Sequence, residues 1–235
     1  MKRRLSGCIA VLCLGAAGLA SAAGNEQETF SPWNGWSQIA DGVYQKTDSA
    51  GVTRRVAFGS GGARYDRQQI QQNIDRLRAG KDQSDETRAA IADLAAQLDR
   101  IPVVSDNTVV PANSSNGTAC SAAYQFDSDF AVGTAGANLI TRAHAGFPFS
   151  PPPGETVSLN SLGKIYDTSG GTYSGGGTGS GYGGFATGIA NYDHFPMPST
   201  ACTASSSSSI DYTGPCVDHV SLIVNYPSCV TGSIP

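Results

Sequence analysis

Two hydrophobic periods divide the chain. Between residues 64 and 101 apolar side chains recur every three or four positions: Ile70, Ile74 and Leu77, then Ile91, Leu94, Leu98 and Ile101. Each set fits one face of a helix. They do not share a register, because extending the first would put Lys81, Ser84 and Arg88 on the apolar seam. A break near Gly80 resolves the conflict. Arg76 and Arg78 suit the last turn of a helix, Gly80 suits the position after it, and Ser84 followed by Asp85 and Glu86 suits the start of another. Pro102 helps end the second helix. The pattern predicts a helical hairpin over residues 63–102. Its apolar stripes are narrow, so it must pack on something, either the rest of the chain or a second subunit through residues 64–101.

Beyond Cys120 the period becomes two. Leu139, Thr141, Ala143, Ala145 and Phe147 alternate with Asn138, Ile140, Arg142 and His144. Val220, Leu222, Val224 and Tyr226 alternate with His219, Ser221, Ile223 and Asn225. Such strands bury one face. Three turn-rich stretches lie between them: Pro151–Gly154, the glycine-dense run Ser169–Gly188, and Ser205–Ser209. Upstream, Val43–Thr47 and Val52–Phe58 flank Asp48-Ser49-Ala50-Gly51, a hairpin signal, and Gly59–Gly62 breaks the chain after it. The expected fold class is α+β: mainly an antiparallel β-sandwich or barrel stapled by disulfides, preceded by a β-hairpin and a helical hairpin. In segments this reads as residues 23–62, the linker and β-hairpin; 63–102, the helical hairpin; 103–119, a linker; and 120–235, the stapled β domain.

The first 22 residues change the picture of where this fold operates. Lys2, Arg3 and Arg4 precede an apolar run from Cys8 to Leu19 that exits through Ala20-Ser21-Ala22. That is the pattern of a secretory signal peptide cut after Ala22. The run is too short to cross a bilayer of about 30 Å. The expectation is therefore an exported protein, extracellular or periplasmic, with no membrane span after cleavage. Losing three cations takes the formal charge from −4 to −7. Residues 103–235 hold only Arg142 and Lys164 against eight acidic side chains, which argues against nucleic acid as a partner.

Cys8 and Cys13 leave with the signal, and Cys120, Cys202, Cys216 and Cys229 remain. An even number in an oxidising compartment reads as two disulfides. None of the four has zinc-knuckle spacing, so no metal is expected. A straight strand over 217–227 would hold Cys216 and Cys229 too far apart to bond. Of the two remaining pairings, Cys202–Cys216 with Cys120–Cys229 is favoured, because it clips the serine-rich stretch as a local loop.

No motif announces catalysis. The three histidines, His144, His194 and His219, lack a local partner on the same strand face, and no Gly-x-Ser-x-Gly elbow or His-Glu-x-x-His is present. Gly179-Ser-Gly181-Tyr-Gly-Gly184 matches the dinucleotide fingerprint formally, but without a βαβ context, so no cofactor is expected. Asp127 and Asp129 share a strand face, too few ligands for calcium. Trp33 and Trp36 fit a core edge better than a sugar platform. Asn113 and Asn116 open glycosylation sequons. The candidate contact surface is an aromatic set on the glycine frame: Tyr173, Tyr182, Phe185, Tyr192 and His194. The expected function is a secreted, non-catalytic binding or structural module that offers Gly/Ser/Tyr-rich loops to a protein or glycan. The alternatives are a secreted hydrolase built from distant His and Asp/Ser residues, or a surface-filament subunit.

Overall fold

A computed structural model describes residues 34–82, 84–104, 110–111, 115–132, 136–148, 153–167, 171–193 and 202–228. Its elements in chain order are β1 (Ser37–Ala40), β2 (Val43–Thr47), β3 (Thr53–Phe58), α1 (Gly59–Ala79) and α2 (Asp85–Arg100). Then come β4 (Val110–Pro111), β5 (Asn116–Ala119), β6 (Ala122–Val132), β7 (Ala137–Ala145), β8 (Thr156–Asp167), β9 (Thr172–Ser180), β10 (Phe185–Tyr192), β11 (Cys202–Thr213) and β12 (Asp218–Tyr226). The strands form two antiparallel sheets, ordered β1-β2-β3-β12-β11-β8-β9 and β10-β7-β6-β5-β4. With the two helices this is an α+β fold.

The β2–β3 hairpin forms where its turn chemistry demands. The Asp48 carboxylate accepts from the backbone N–H groups of Ala50 and Val52, both at 3.0 Å, and Gly51 takes φ +79°. A two-stranded hairpin is marginal in water. This one is held because β3 pairs along its length with β12, from Val220↔Phe58 to Asn225↔Thr53. This hairpin, extended by β1, and the last strand thus share a sheet. Phe147, expected to continue the buried set of β7, lies past the end of that strand and is 78% exposed, and β12 buries both faces at its start, because His219 and Ser221 are covered by α1. The inward side chains otherwise follow the expected alternation: Leu139, Thr141, Ala143 and Ala145 of β7 are buried, as are Val220, Leu222, Val224 and Tyr226 of β12. Together with β6, β8 and β11 they supply a single apolar cluster drawn from both sheets.

Two stretches expected to be loops are strands. Ser205–Ser209 lies in the middle of β11, between β8 and β12. Its serines tolerate a central position because those facing the other sheet find partners there and on the neighbouring β8. Ser208 shares hydrogen bonds with Thr141 (2.8 Å) and Ser161 (2.9 Å), and Ser206 with Ser128 (2.7 Å). Buried hydroxyls satisfied in this way cost little. The glycine-dense run forms β9 and β10. A Cβ on Gly175, Gly177 or Gly179 would stand only 1.8–2.1 Å from the carbonyl oxygens of Ile189, Thr187 and Phe185. Glycine at alternate positions therefore lets the backbones of two edge strands, one from each sheet, approach directly.

The β11 strand also overturns the favoured disulfide pairing. Cys120 bonds Cys216, with Cα atoms 5.7 Å apart. Had Ser205–Ser209 been a loop, Cys202 could have reached Cys216. Along a 12-residue strand the separation is instead tens of ångströms at about 3.3 Å per residue. Cys202 is itself disulfide-bonded. Cys229 lies outside the described residues. Cys120 and Ser121 form the two-residue β5–β6 turn, both at positive φ (47° and 62°), a conformation usually left to Asn and Gly.

The helical hairpin forms with the break at Gly80 and the start at Ser84. The Thr87 N–H donates to Ser84 Oγ at 3.2 Å. Gly80 ends α1 at φ −64°, its N–H donating to the carbonyls of Arg76 and Leu77. Gly59–Gly62, expected to break the chain, instead makes the first turn of α1. A Cβ on Gly61 would lie 2.3 Å from the Asp41 carbonyl and one on Gly62 2.7 Å from the Ala57 backbone, so these glycines seat the helix tightly against the β1–β2 turn and β3. The Arg67 guanidinium then donates to the carbonyls of Leu98 (3.0 Å) and Ile101 (2.6 Å), tying α1 to the end of α2. α1 lies on β3 and β12, whereas α2 rests on α1 and buries no residue fully.

Candidate functional site

The helices cover the face of the seven-stranded sheet that points away from the other sheet. Strand register sets what lies there. Asp211 stands opposite His219, Ser209 opposite Ser221, and Ser207 opposite Ile223, with Arg55 next across on β3. On the other side, Asn160, Leu162 and Lys164 of β8 face Ser209, Ser207 and Ser205. One face therefore carries an ionic cluster at one end and a run of hydroxyls and amides leading away from it.

The cluster is completed from above by Asp66, in the second turn of α1. His219 Nδ1 lies 2.6 Å from Asp211 Oδ1, and its Nε2 lies 3.2 Å from Asp66 Oδ2. The Ser221 hydroxyl donates to the same Asp66 oxygen at 2.5 Å, and Arg55 Nη2 stands 3.8 Å from Asp66 Oδ1. All but Arg55 are buried. Ionised carboxylates only accept, so both ring nitrogens must carry protons and His219 is an imidazolium. Burial alone would lower its pKa, but the Asp211 charge and hydrogen bond, then those of Asp66, outweigh it and push the pKa up to about 10. For Asp66, desolvation works to raise the carboxyl. The His219 hydrogen bond and charge, with help from Ser221 and Arg55, nevertheless hold it below the ordinary range. Two carboxylates face two cations, and the set is neutral.

That arrangement has a chemical consequence. A histidine acting as general base needs a free nitrogen within reach of the proton it takes. His219 has none, and Ser221, the nearest hydroxyl, is spoken for by Asp66, whose depressed pKa makes it a weak base. The constellation contains Ser, His and Asp without the order of contacts that activates a nucleophile. It fastens α1 to the sheet.

Beside the cluster, between the helices and the sheet face, lies a cleft of about 210 Å³. Ile70, Asn73, Leu94 and Gln97 overhang it. Its floor is Asn160, Leu162, Lys164, Ser205, Ser207 and Ile223, with Tyr166 at 38% exposure.

The other candidates lie elsewhere and apart from one another. Tyr173 is on β9, its ring edge-on to Tyr192 of β10 at 4.8 Å, and its hydroxyl donates to Asp167 at 3.3 Å. Tyr192 is buried. Tyr182, in the β9–β10 turn, donates its hydroxyl to Glu155. Phe185 is exposed and stacks on His144 at 4.1 Å. The four occupy two strands and a tight turn, so they do not form one loop surface; His194 lies outside the described residues. The Gly179–Gly184 fingerprint runs from the end of β9 into a turn and then a strand, with no helix N-terminus to receive a phosphate. Cys120, Glu155 and Cys216 group closely enough for a metal, but the two sulfurs are bonded to each other and offer no thiolate. Asp127 and Asp129 share the outer face of β6, where Asp127 accepts from Gln125. Trp36 packs at the core edge, and Trp33 and Asn113 lie outside the described residues. No described helix is long and apolar enough to cross a membrane.

The Asp211–His219 pair was within reach of sequence reasoning once β11 is read as a strand, because a hairpin turn over 214–217 sets the two opposite each other. Nothing in the sequence singles out Asp66 from the other acids of α1. No protein-family model matches the chain, and neither a curated protein nor a solved structure matches it.

Proposed function

We propose that this chain is an exported, non-catalytic binding module that takes a polar ligand in the cleft between its helical hairpin and the seven-stranded sheet. The observation that carries this reading is the cleft itself, lined by hydroxyl, amide and apolar groups, with a histidine at its end that has no nitrogen left for catalysis. Ligand sites are typically concave, with apolar walls and a few convergent polar groups. The site moves from the glycine-rich run, where sequence alone suggested it, to the face beneath α1 and α2. We further infer that the two sheets stack as a sandwich, supported by the core they share, and that the hairpin encloses ligand instead of pairing subunits.

The test is a thermal-shift screen of the purified protein against glycans and small metabolites, followed by NMR titration of each hit. Hits should perturb Asn73, Gln97, Lys164 and Ile223 in preference to the rest of the chain. The protein should not turn over ester, peptide or glycoside substrates. Hits that perturb only the β9–β10 turn, or turnover that is lost in a His219→Gln variant shown to remain folded, would overturn the proposal.

A further inference from the structure

Resting on the cleft as the ligand site, we infer that its ligand is a segment of an acidic glycan, hydroxyl-bearing rings with carboxylates, and that Lys164 is the principal group selecting the charge. Three observations converge on this chemistry.

The first is electrostatic. Lys164 is one of two basic side chains between residues 103 and 235 in an acidic protein, and it lies half-buried on the cleft floor. It makes no ion pair with any described residue. Arg100 of α2 lines the same cleft and likewise makes none. The two carboxylates there, Asp66 and Asp211, are already matched by His219 and Arg55. The unmatched charge of the cleft is therefore positive. A partly desolvated ammonium without a partner favours an anion, because the pair is screened less than on an open surface.

The second is the floor. Ser205, Ser207 and Asn160 present donors and acceptors in the pattern set by the strands, which suits hydroxyl groups. Leu162 and Ile223 lie in one row with Ser207 and give the apolar surface a ring face requires, and Tyr166 supplies a partly exposed aromatic two positions beyond Lys164.

The third is shape. From the Asp211 row to the Ser205 row is six residues of strand, about 20 Å at 3.3 Å per residue. The volume is nevertheless small, below the range of about 300–1,000 Å³ common for compact ligand pockets. Lining residues spread along that length around so small a volume suit part of a chain of rings, the remainder lying outside, better than a bulky single molecule.

Isothermal titration of the purified protein with trigalacturonate and trimannuronate tests this against their neutral counterparts galactotriose and mannotriose, and against acetate. At least one acidic trimer should bind about tenfold or more tightly than its neutral counterpart, more weakly as salt rises, and far more tightly than acetate. Lys164→Met should lose about tenfold in that affinity, with an unchanged melting temperature. Neutral and acidic trimers binding equally well, with cleft residues perturbed, would overturn the acidic class and leave the cleft as the binding site. Acetate competing as well as the trimers would overturn glycan recognition. Acidic-trimer affinity unaffected by Lys164→Met would remove Lys164 from the selection. If no trimer binds, the inference fails outright, while the broader ligand screen decides separately on the cleft.

Discussion

Raising the pH above neutral should loosen this protein, and His219 is the reason. Its folded pKa of about 10 lies above the ordinary histidine value of 6.5. The native state therefore holds one more proton than the unfolded state between those values. A raised folded pKa gives stability that is complete below about pH 6.5 and is lost as pH climbs toward 10. The slope should be about 1.4 kcal/mol per pH unit, and the full effect across that interval on the order of 5 kcal/mol. The Asp66 carboxyl, held low, acts in the opposite sense: its contribution is present above the ordinary carboxylate pKa and is lost only as pH falls through its lower folded value. Stability should thus be flat from about pH 5 to 6.5 and decline above. Urea denaturation at pH 6, 7, 8 and 9 measures it. His219→Gln should abolish the alkaline slope and cost about 3–5 kcal/mol at pH 6, because it strands two buried carboxylates. If that variant does not fold, Asp66→Asn serves, removing one acceptor and reducing the slope. A wild-type stability unchanged between pH 7 and 9 would refute the reasoning, as would a variant whose decline runs parallel to the wild type.

Other parts of the fold make equally definite demands. Ser121→Gly should raise the melting temperature by an amount equivalent to about 1 kcal/mol, since an exposed non-glycine residue held at φ 62° gives up that much; a fall would show that the Ser121 side chain matters more than its backbone. Gly177→Ala would drive a Cβ to 2.1 Å from the Thr187 carbonyl, so urea titration should show a loss of about 1–3 kcal/mol or more; no loss would show that the β9 and β10 backbones can move apart without cost. Non-reducing peptide mapping should recover Cys120 joined to Cys216 and, by elimination among the cysteines beyond residue 22, Cys202 joined to Cys229. Loss of the first bond, which closes a separation of 96 residues, should cost up to about 4–5 kcal/mol in the chain-entropy view.

How much of this was legible depended on whether a local rule also served the global fold. The helical hairpin was readable because Ser84, the acids after it and the period shift at Gly80 act through neighbours in sequence. The β2–β3 turn was readable for the same reason, through Asp48 and Gly51. β11 was not, because its inward serines are satisfied by Ser128, Thr141 and Ser161, and such pairing leaves no mark on the strand's own composition. Misreading that strand led to the wrong cysteine pairing and concealed Asp211 opposite His219. β9 was hidden because its glycines answer to the β10 backbone, not to a turn. The ionic cluster draws Asp66 across 153 residues, a distance over which no pattern carries.

The account turns on the claim that His219 is a saturated imidazolium, fastening the helices over the cleft and unavailable as a base. Long-range ¹H–¹⁵N correlation of the histidine side chains at pH 8 reads this directly. The account predicts that both nitrogens of His219 remain at imidazolium shifts at that pH. A neutral ring there, with one nitrogen unprotonated, would contradict it and make the hydrolase reading the better one.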